Sequence, residues 1–335
     1  MEKNYNISFI KWILAILVIF SHSFPISKGI NSHDILYNFS NGQLDFGKLS
    51  VCIFLFFSGF FITKSLSKNS NIIDFFKKRV VKILPPLFIV LLITVLIIGP
   101  LTTTLSIKQY FIDLSWLKYL LKNMLLITTH TINGVLESNA YYQSINGSLW
   151  TLPVEFLCYI FCFIAYKLTI CNKNKLKYTF PIFIIVYILF NYKFNNIYLI
   201  NTLLPLVSFF YIGMLSFTYK DNIKLNKCLV IISIILLLVS LKLNFYSYIS
   251  IIIIPYIVLY LSFASKQIKL FKNKIFTLSY EVYLVGFLVQ QVVCYVFGGI
   301  MNPYINFIIS IRIVIICSYV INKINQKLQL TSRCN

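Results

Sequence analysis

The chain has 335 residues, 59% hydrophobic and only 12% charged, which excludes a soluble globular domain, where charge runs near a quarter of the residues. Its 30 Lys and Arg against 9 Asp and Glu give a formal net charge of +21. These cations cluster between apolar runs, as cytoplasmic loops of membrane proteins do, and this argues against a nucleic-acid surface.

About twenty apolar residues are needed per span, so the length accommodates roughly ten helices and no separate soluble domain. The opening run MEKNYNISFIKWILAILVIFSHSF has the basic start and apolar core of a secretion signal. It lacks a small-residue cleavage site and further spans follow, so it reads as a retained first helix. Apolar runs predict spans near 8–27, 47–65, 75–99, 148–168, 178–191, 197–218, 228–243, 247–264, 275–297 and 304–322. The fold class is therefore an all-α, polytopic helical bundle.

With a cytoplasmic N-terminus, the inner side receives Lys3, the group Lys64, Lys68, Lys77, Lys78, Arg79 and Lys82, then Lys167 to Lys177, Lys220 to Lys227, Lys266 to Lys274, and Lys323, Lys327 and Arg333. The outer side receives Lys28, Lys48, Lys108, Lys118, Lys122, Lys193 and Lys242. The imbalance, roughly three to one, puts both termini in the cytoplasm. Residues 6–322 form the transmembrane domain and 323–335 a short basic cytoplasmic tail.

This topology requires that SWLKYLLKNMLLITT, residues 115–129, does not cross alone. Its lysines on one side and leucines opposite suit an interfacial or re-entrant helix. Residues 100–147, with Asp113, His130 and Glu137, then make one large extracytoplasmic segment, a natural lid or acceptor-binding element.

Ionisable side chains inside spans cost a few kcal/mol or more and need a partner or a use. Lys11 and His22 are eleven residues apart, so they share a helix face about 16 Å apart along the axis. Lys11 can snorkel inward, and His22 can be an ordinary helix-end residue. Glu155 opens the span that begins SINGSLWTLPVEF, with Ser148 as its expected cap and Pro153 in its first turns. It lies at about the depth of His22. The two can form a proton-handling pair, or Glu155 can simply bond its own helix start.

Lys78, Arg79 and Lys82 line one sector of a helix and form a phosphate-sized cationic patch, or ordinary positive-inside charge. Glu281 and Arg312 are opposite charges on the last two spans and are expected to pair. The 8 cysteines lack metal-binding spacings and read as small buried hydrophobes, with no metal site. Phosphate loops, HExxH and GxSxG are absent.

Taken in order, these stretches resemble the acyltransferase 3 family of bacterial membrane acyltransferases from about residue 6 to 322. Lys11 and His22 match its Arg/Lys-x10-His signature. Ser58, Gly59 and Phe60 look like its second-span motif, and Arg79-x-x-Lys82 resembles its Arg-x-x-Arg. The run SLWTLPVE, ending at Glu155, looks like its Ser-Leu-Trp-x-Leu-x-x-Glu. Lys82 replaces an arginine and loses the planar fork, and Gly286 stands where many relatives carry a histidine.

The resemblance implies transfer of an acyl group, most often acetyl, from acyl-CoA to a hydroxyl of an extracytoplasmic glycan, lipid-linked sugar or similar acceptor, in the plasma or inner membrane. His22 would be the base or acyl carrier and Glu155 its orienting partner. Lys11, Lys78, Arg79 and Lys82 would bind the donor, and Ser58, Ser148 and Trp150 the substrate. Acetyl-CoA is then a substrate, and no permanently bound cofactor is expected. The competing class is a transporter or flippase, but the two similar halves with matching broken helices that carriers often show are not visible.

Overall fold

Hydrocarbon offers backbone N–H and C=O groups no water, so an apolar chain must satisfy them internally, most simply as helices. The computed structural model describes residues 4–168, 173–194 and 197–334; Cys171 lies outside them. The helices in order are α1 (Tyr5–Lys28), α2 (Ile35–Phe39), α3 (Phe46–Leu66), α4 (Ile72–Ile93), α5 (Gly99–Thr102), α6 (Ile107–Ile112), α7 (Ser115–Met124), α8 (Thr151–Lys167), α9 (Lys173–Phe194), α10 (Tyr198–Thr218), α11 (Lys227–Lys242), α12 (Tyr246–Leu259), α13 (Ser279–Val296) and α14 (Pro303–Cys334). A π turn over Thr94–Ile98 joins α4 to α5. α14 continues through the expected tail, so residues 323–334 are helical.

Among the described residues, 8 helical stretches are long and apolar enough to cross a membrane: Tyr5–Lys28, Phe46–Leu66, Ile72–Thr102, Gly147–Lys167, Ile200–Thr218, Tyr246–Ala264, Ser279–Val296 and Pro303–Leu328. The two other predicted spans are helices of a different character. Four lysines dilute the apolar surface of α9. The 16 residues of α11 reach about 24 Å, short of a hydrocarbon layer about 30 Å thick.

The chain divides into two compact units. The first comprises Met1–Ile10, Ile35–Phe76 and Val154–Phe271, and the second Lys11–Asp34, Lys77–Pro153 and Lys272–Asn335.

In the first unit α3 and α10 touch backbone to backbone. A Cβ on Gly59 would lie 2.0 Å from the Phe210 carbonyl oxygen, and one on Gly213 would lie 2.1 Å from that of Phe56. Residue numbers rise together along this contact, since Phe60 meets Phe217 with ring centroids 5.4 Å apart, so α3 and α10 run in the same direction. Phe60 also meets Phe263 at 5.3 Å, which brings the C-terminal end of α12 to the same place. There the Asn4 and Asn6 amides donate to the Ser262 and Leu261 carbonyls.

In the second unit, Leu87, Leu91, Tyr110, Tyr119, Leu149, Leu284 and Leu288 form a common buried core. It joins α4, the segment 100–147 and α13. The segment is not a loose loop. Thr103 and Val135 form a bridge, and the Tyr110 hydroxyl donates to the Val95 carbonyl, while burial pushes that phenol up to about 12. Asn133 donates to both oxygens of Asp113. Hydrogen bonds from Ser115 and Asn133 hold that carboxyl below the usual range.

Gln291 of α13 grips the segment's far end. Its Nε2 donates to the carbonyls of Tyr141 and Ser144, and its carbonyl oxygens accept from Asn139 Nδ2. The left-handed Gly299 closes the same corner, its carbonyl accepting from the Ala140 N–H. The ten residues of α7 reach only about 15 Å, so this helix cannot cross by itself. Its surface differs from the predicted one: Leu121 and Leu125 are exposed on the same face as Lys118 and Lys122, while Tyr119 and Asn123 are buried.

Candidate active site

α8 begins with a tight 3-10 turn over Gly147–Trp150. Its cap is Asn146, whose side chain accepts from the Ser148 N–H at 3.2 Å, and not the predicted Ser148. Asn146 also donates to the Leu284 carbonyl, which fixes the turn against α13. Ser148 is 1% exposed, and its hydroxyl has no hydrogen-bond partner among the described residues. Its carbonyl accepts from Thr151 and Tyr283. Trp150 is half-buried in the same turn.

α1 carries both Lys11 and His22, each half-buried, in the second unit. The His22 ring sits edge-on to Phe287 of α13, centroids 5.0 Å apart. Its Nδ1 is buried, with no hydrogen-bond partner among the described residues. Phe287 is confined in turn by Tyr141 and by Gly147, where a Cβ would come within 2.5 Å of the ring. Next to it, Gly286 faces Ile19, whose Cγ1 would stand 2.6 Å from a Cβ there. One turn further on, the Gln290 amide donates to the Ile19 carbonyl at 2.8 Å. Helix α1 is thus held close against α13, with the imidazole pressed on an aromatic wall.

Lys78 and Lys82 are exposed and Arg79 half-buried on the first turns of α4, in the same unit. Near this end of the unit the Tyr280 hydroxyl donates to the Ile83 carbonyl. The adjacent Glu281 is buried and accepts from Asn322 at 2.7 Å. The predicted Glu281–Arg312 pairing is therefore replaced. Arg312 is exposed and stands ten residues, about 15 Å along α14, from the partner that Glu281 takes.

Glu155 and Ser58 belong to the first unit, where α8 meets α3. Ser58 Oγ donates to Glu155 Oε1 at 2.5 Å. The Tyr159 hydroxyl, one turn on from Glu155, donates to the same oxygen, and Ser58 and Tyr159 lie 3.0 Å apart. Both donors fall on Oε1, leaving Oε2 to accept another. Tyr159 escapes a sequence reading because a tyrosine in an apolar helix is unremarkable. The only signal is its spacing of four from Glu155, which puts both on one face.

Of the expected residues, Ser58 and Glu155 are thus in contact, while Lys11, His22, Lys78, Arg79, Lys82, Ser148 and Trp150 belong to the other unit. Four cysteines, Cys52, Cys158, Cys162 and Cys294, are buried as expected, whereas Cys228 is exposed and Cys317 partly so. Among the described residues, no group of three or more His, Cys, Asp and Glu is placed to hold a metal ion.

Comparison with known proteins adds a family match. The acyltransferase 3 model, described as an acyltransferase domain, matches residues 4–323. An O-acetyl transferase of Shigella phage Sf6 is 29% identical over 174 residues, covering 49% of this chain and 46% of the relative. Nodulation protein 10 of Rhizobium leguminosarum bv. viciae is 29% identical over 160 residues, covering 46% of this chain and 42% of the relative. The chain thus spans a little under half the length of the curated relatives it matches. No solved structure matches it.

Proposed function

The chain belongs to the acyltransferase 3 family, and on that premise we propose that it is a multi-pass membrane O-acetyltransferase of the plasma or inner membrane. It moves an acyl group, acetyl in the first instance, from cytoplasmic acyl-CoA to a hydroxyl of an extracytoplasmic glycan, lipid-linked sugar or similar acceptor. One similar protein carries the name O-acetyl transferase, which supports the reaction type.

The observation that carries the mechanism is the state of His22, taken with that of Glu155. His22 has a buried ring nitrogen without a partner, and Glu155 has one oxygen occupied by two hydroxyls and the other left over. A neutral imidazole acting as base through one nitrogen needs an acceptor for the N–H of the other. Glu155, whose Oε2 is left to accept, is the second group assigned to the proton handling.

In the proposed step, His22 takes the acceptor's hydroxyl proton as the oxygen bonds to the acyl carbon. The carbon–sulfur bond breaks, and the proton passes to the departing CoA thiolate. One base therefore serves both halves of the transfer. Lys78, Arg79 and Lys82 hold the anionic end of the donor, with Arg79 offering a planar fork and the lysines point charges. Lys11 lines the donor's path, and Ser148 and Trp150 border the acceptor.

Ten crossings with both termini cytoplasmic complete the reading, and helix directions within the first unit support the count. α3 and α10 run the same way, which calls for an odd number of crossings between them; α4 and α8 supply two and α9 the third. α10 and α12 end together, which calls for a crossing by α11 between them.

The test uses purified protein, labelled acetyl-CoA and membrane extract. His22→Ala, inserted into membranes at the normal level, is expected to lose labelling of the acceptor. Transfer at the wild-type rate would remove His22 from the chemistry.

A further inference from the structure

We infer that Tyr159 and Ser58 are positioning residues for the transfer reaction, locking Oε1 of Glu155 so that only Oε2 remains to accept a proton-bearing group. The inference rests on the transfer reaction proposed above. It also moves Ser58 from substrate contact to support of the carboxylate.

A carboxylate within an apolar helix must be supplied with donors. Among the described residues no Lys or Arg bonds to Glu155, and the donors are two neutral hydroxyls on a single oxygen. This arrangement fixes the carboxylate plane without cancelling its charge, which stays available to a cation formed during turnover. A counter-ion on the same group would have consumed that charge.

Both hydroxyls are themselves held. Tyr159 is 5% exposed, and its ring packs at 6.3 Å from Phe156 and 6.4 Å from Phe210. Ser58 precedes Gly59, whose backbone is pressed on the Phe210 carbonyl, so α3 cannot roll without losing that contact. Phe210 thus stands behind both supports. The Ser58 and Tyr159 oxygens lie only 3.0 Å apart, and each has a single proton, which it gives to Oε1, so the two donors converge on that oxygen from adjoining positions.

The experiment measures acetyl transfer for Tyr159→Phe, Ser58→Ala, Ser58→Thr and Glu155→Gln, singly and with Tyr159→Phe added to Glu155→Gln. Tyr159→Phe keeps the packed ring and removes only the hydroxyl. Losing a hydrogen bond to a charged group is expected to lower kcat about tenfold or more, with the KM for acetyl-CoA unchanged. Ser58→Ala should behave alike and Ser58→Thr should retain activity. In the Glu155→Gln background the tyrosine change should cost nothing further, because the group it positions is gone. Wild-type kcat in Tyr159→Phe, or a full additional loss on top of Glu155→Gln, would overturn the inference while leaving the transfer reaction standing. Wild-type turnover in Glu155→Gln alone would overturn the role proposed for Glu155, and this inference with it.

Discussion

Position 286 leaves no room for a side chain. Its backbone approaches Ile19 so closely that any Cβ would stand 2.6 Å from Cγ1, and the neighbouring Phe287 fills the space beside His22. Gly286→Ala is therefore expected to destabilise the protein by about 1–3 kcal/mol, the usual cost of overpacking. Ile19→Ala in the same chain should recover part of that loss. The half-life of monodisperse protein in detergent at elevated temperature measures both. At this scale the sequence singles out an ionisable group that interrupts an apolar run, as His22 and Glu155 do, but not what that group bonds to. It was unreadable where the partner is neutral. Tyr159 and Asn322 carry no charge to betray them, so Glu281 was matched to the nearest available cation instead of to an amide. The cap of α8 failed for a related reason: Asn146 and Ser148 are both good caps, and only the fold chooses between them.

Among the elements, the segment 100–147 departs most from expectation. A long outer segment invites the idea of a lid, yet one buried amide, Gln291, bonds to Asn139, Tyr141 and Ser144, and Asn146 bonds to Leu284 of the same helix. Such a segment moves only with α13. Gln291→Ala leaves two buried carbonyls and an amide donor short of partners, each costing about 1–3 kcal/mol. Faster amide hydrogen exchange across 139–146 is expected, with exchange in α3 and α10 unchanged. Protection equal to wild type would show that the apolar core alone holds the segment. The helices themselves were legible because apolar length is a coarse and strong signal. The connections of this segment were not, since they depend on single amides meeting across about 150 positions of sequence.

For the whole molecule, the crossing number rests on α9 and α11, the two helices least able to declare themselves by apolar length. If both cross, the two termini share a side. Reporter fusions whose activity depends on compartment should then read cytoplasmic after residue 220 and after residue 266, and extracytoplasmic between α11 and α12 near Asn244. The same compartment at 220 and 244 would remove α11 from the count. The imbalance of basic residues predicts the same arrangement, because electrostatic orientation acts on the chain as a whole. The division into two units escaped it, because the division falls within α1, α4 and α8, where composition does not change.

The 32 residues of α14 measure about 48 Å, against a hydrocarbon thickness of about 30 Å. About 18 Å of stiff rod must be taken up by tilt or stand clear in water, and whatever stands clear carries the lysines at 323 and 327 on a mast. A charge carried in this way keeps a fixed standoff from the lipid headgroups, which a slack tether of the same composition could not maintain.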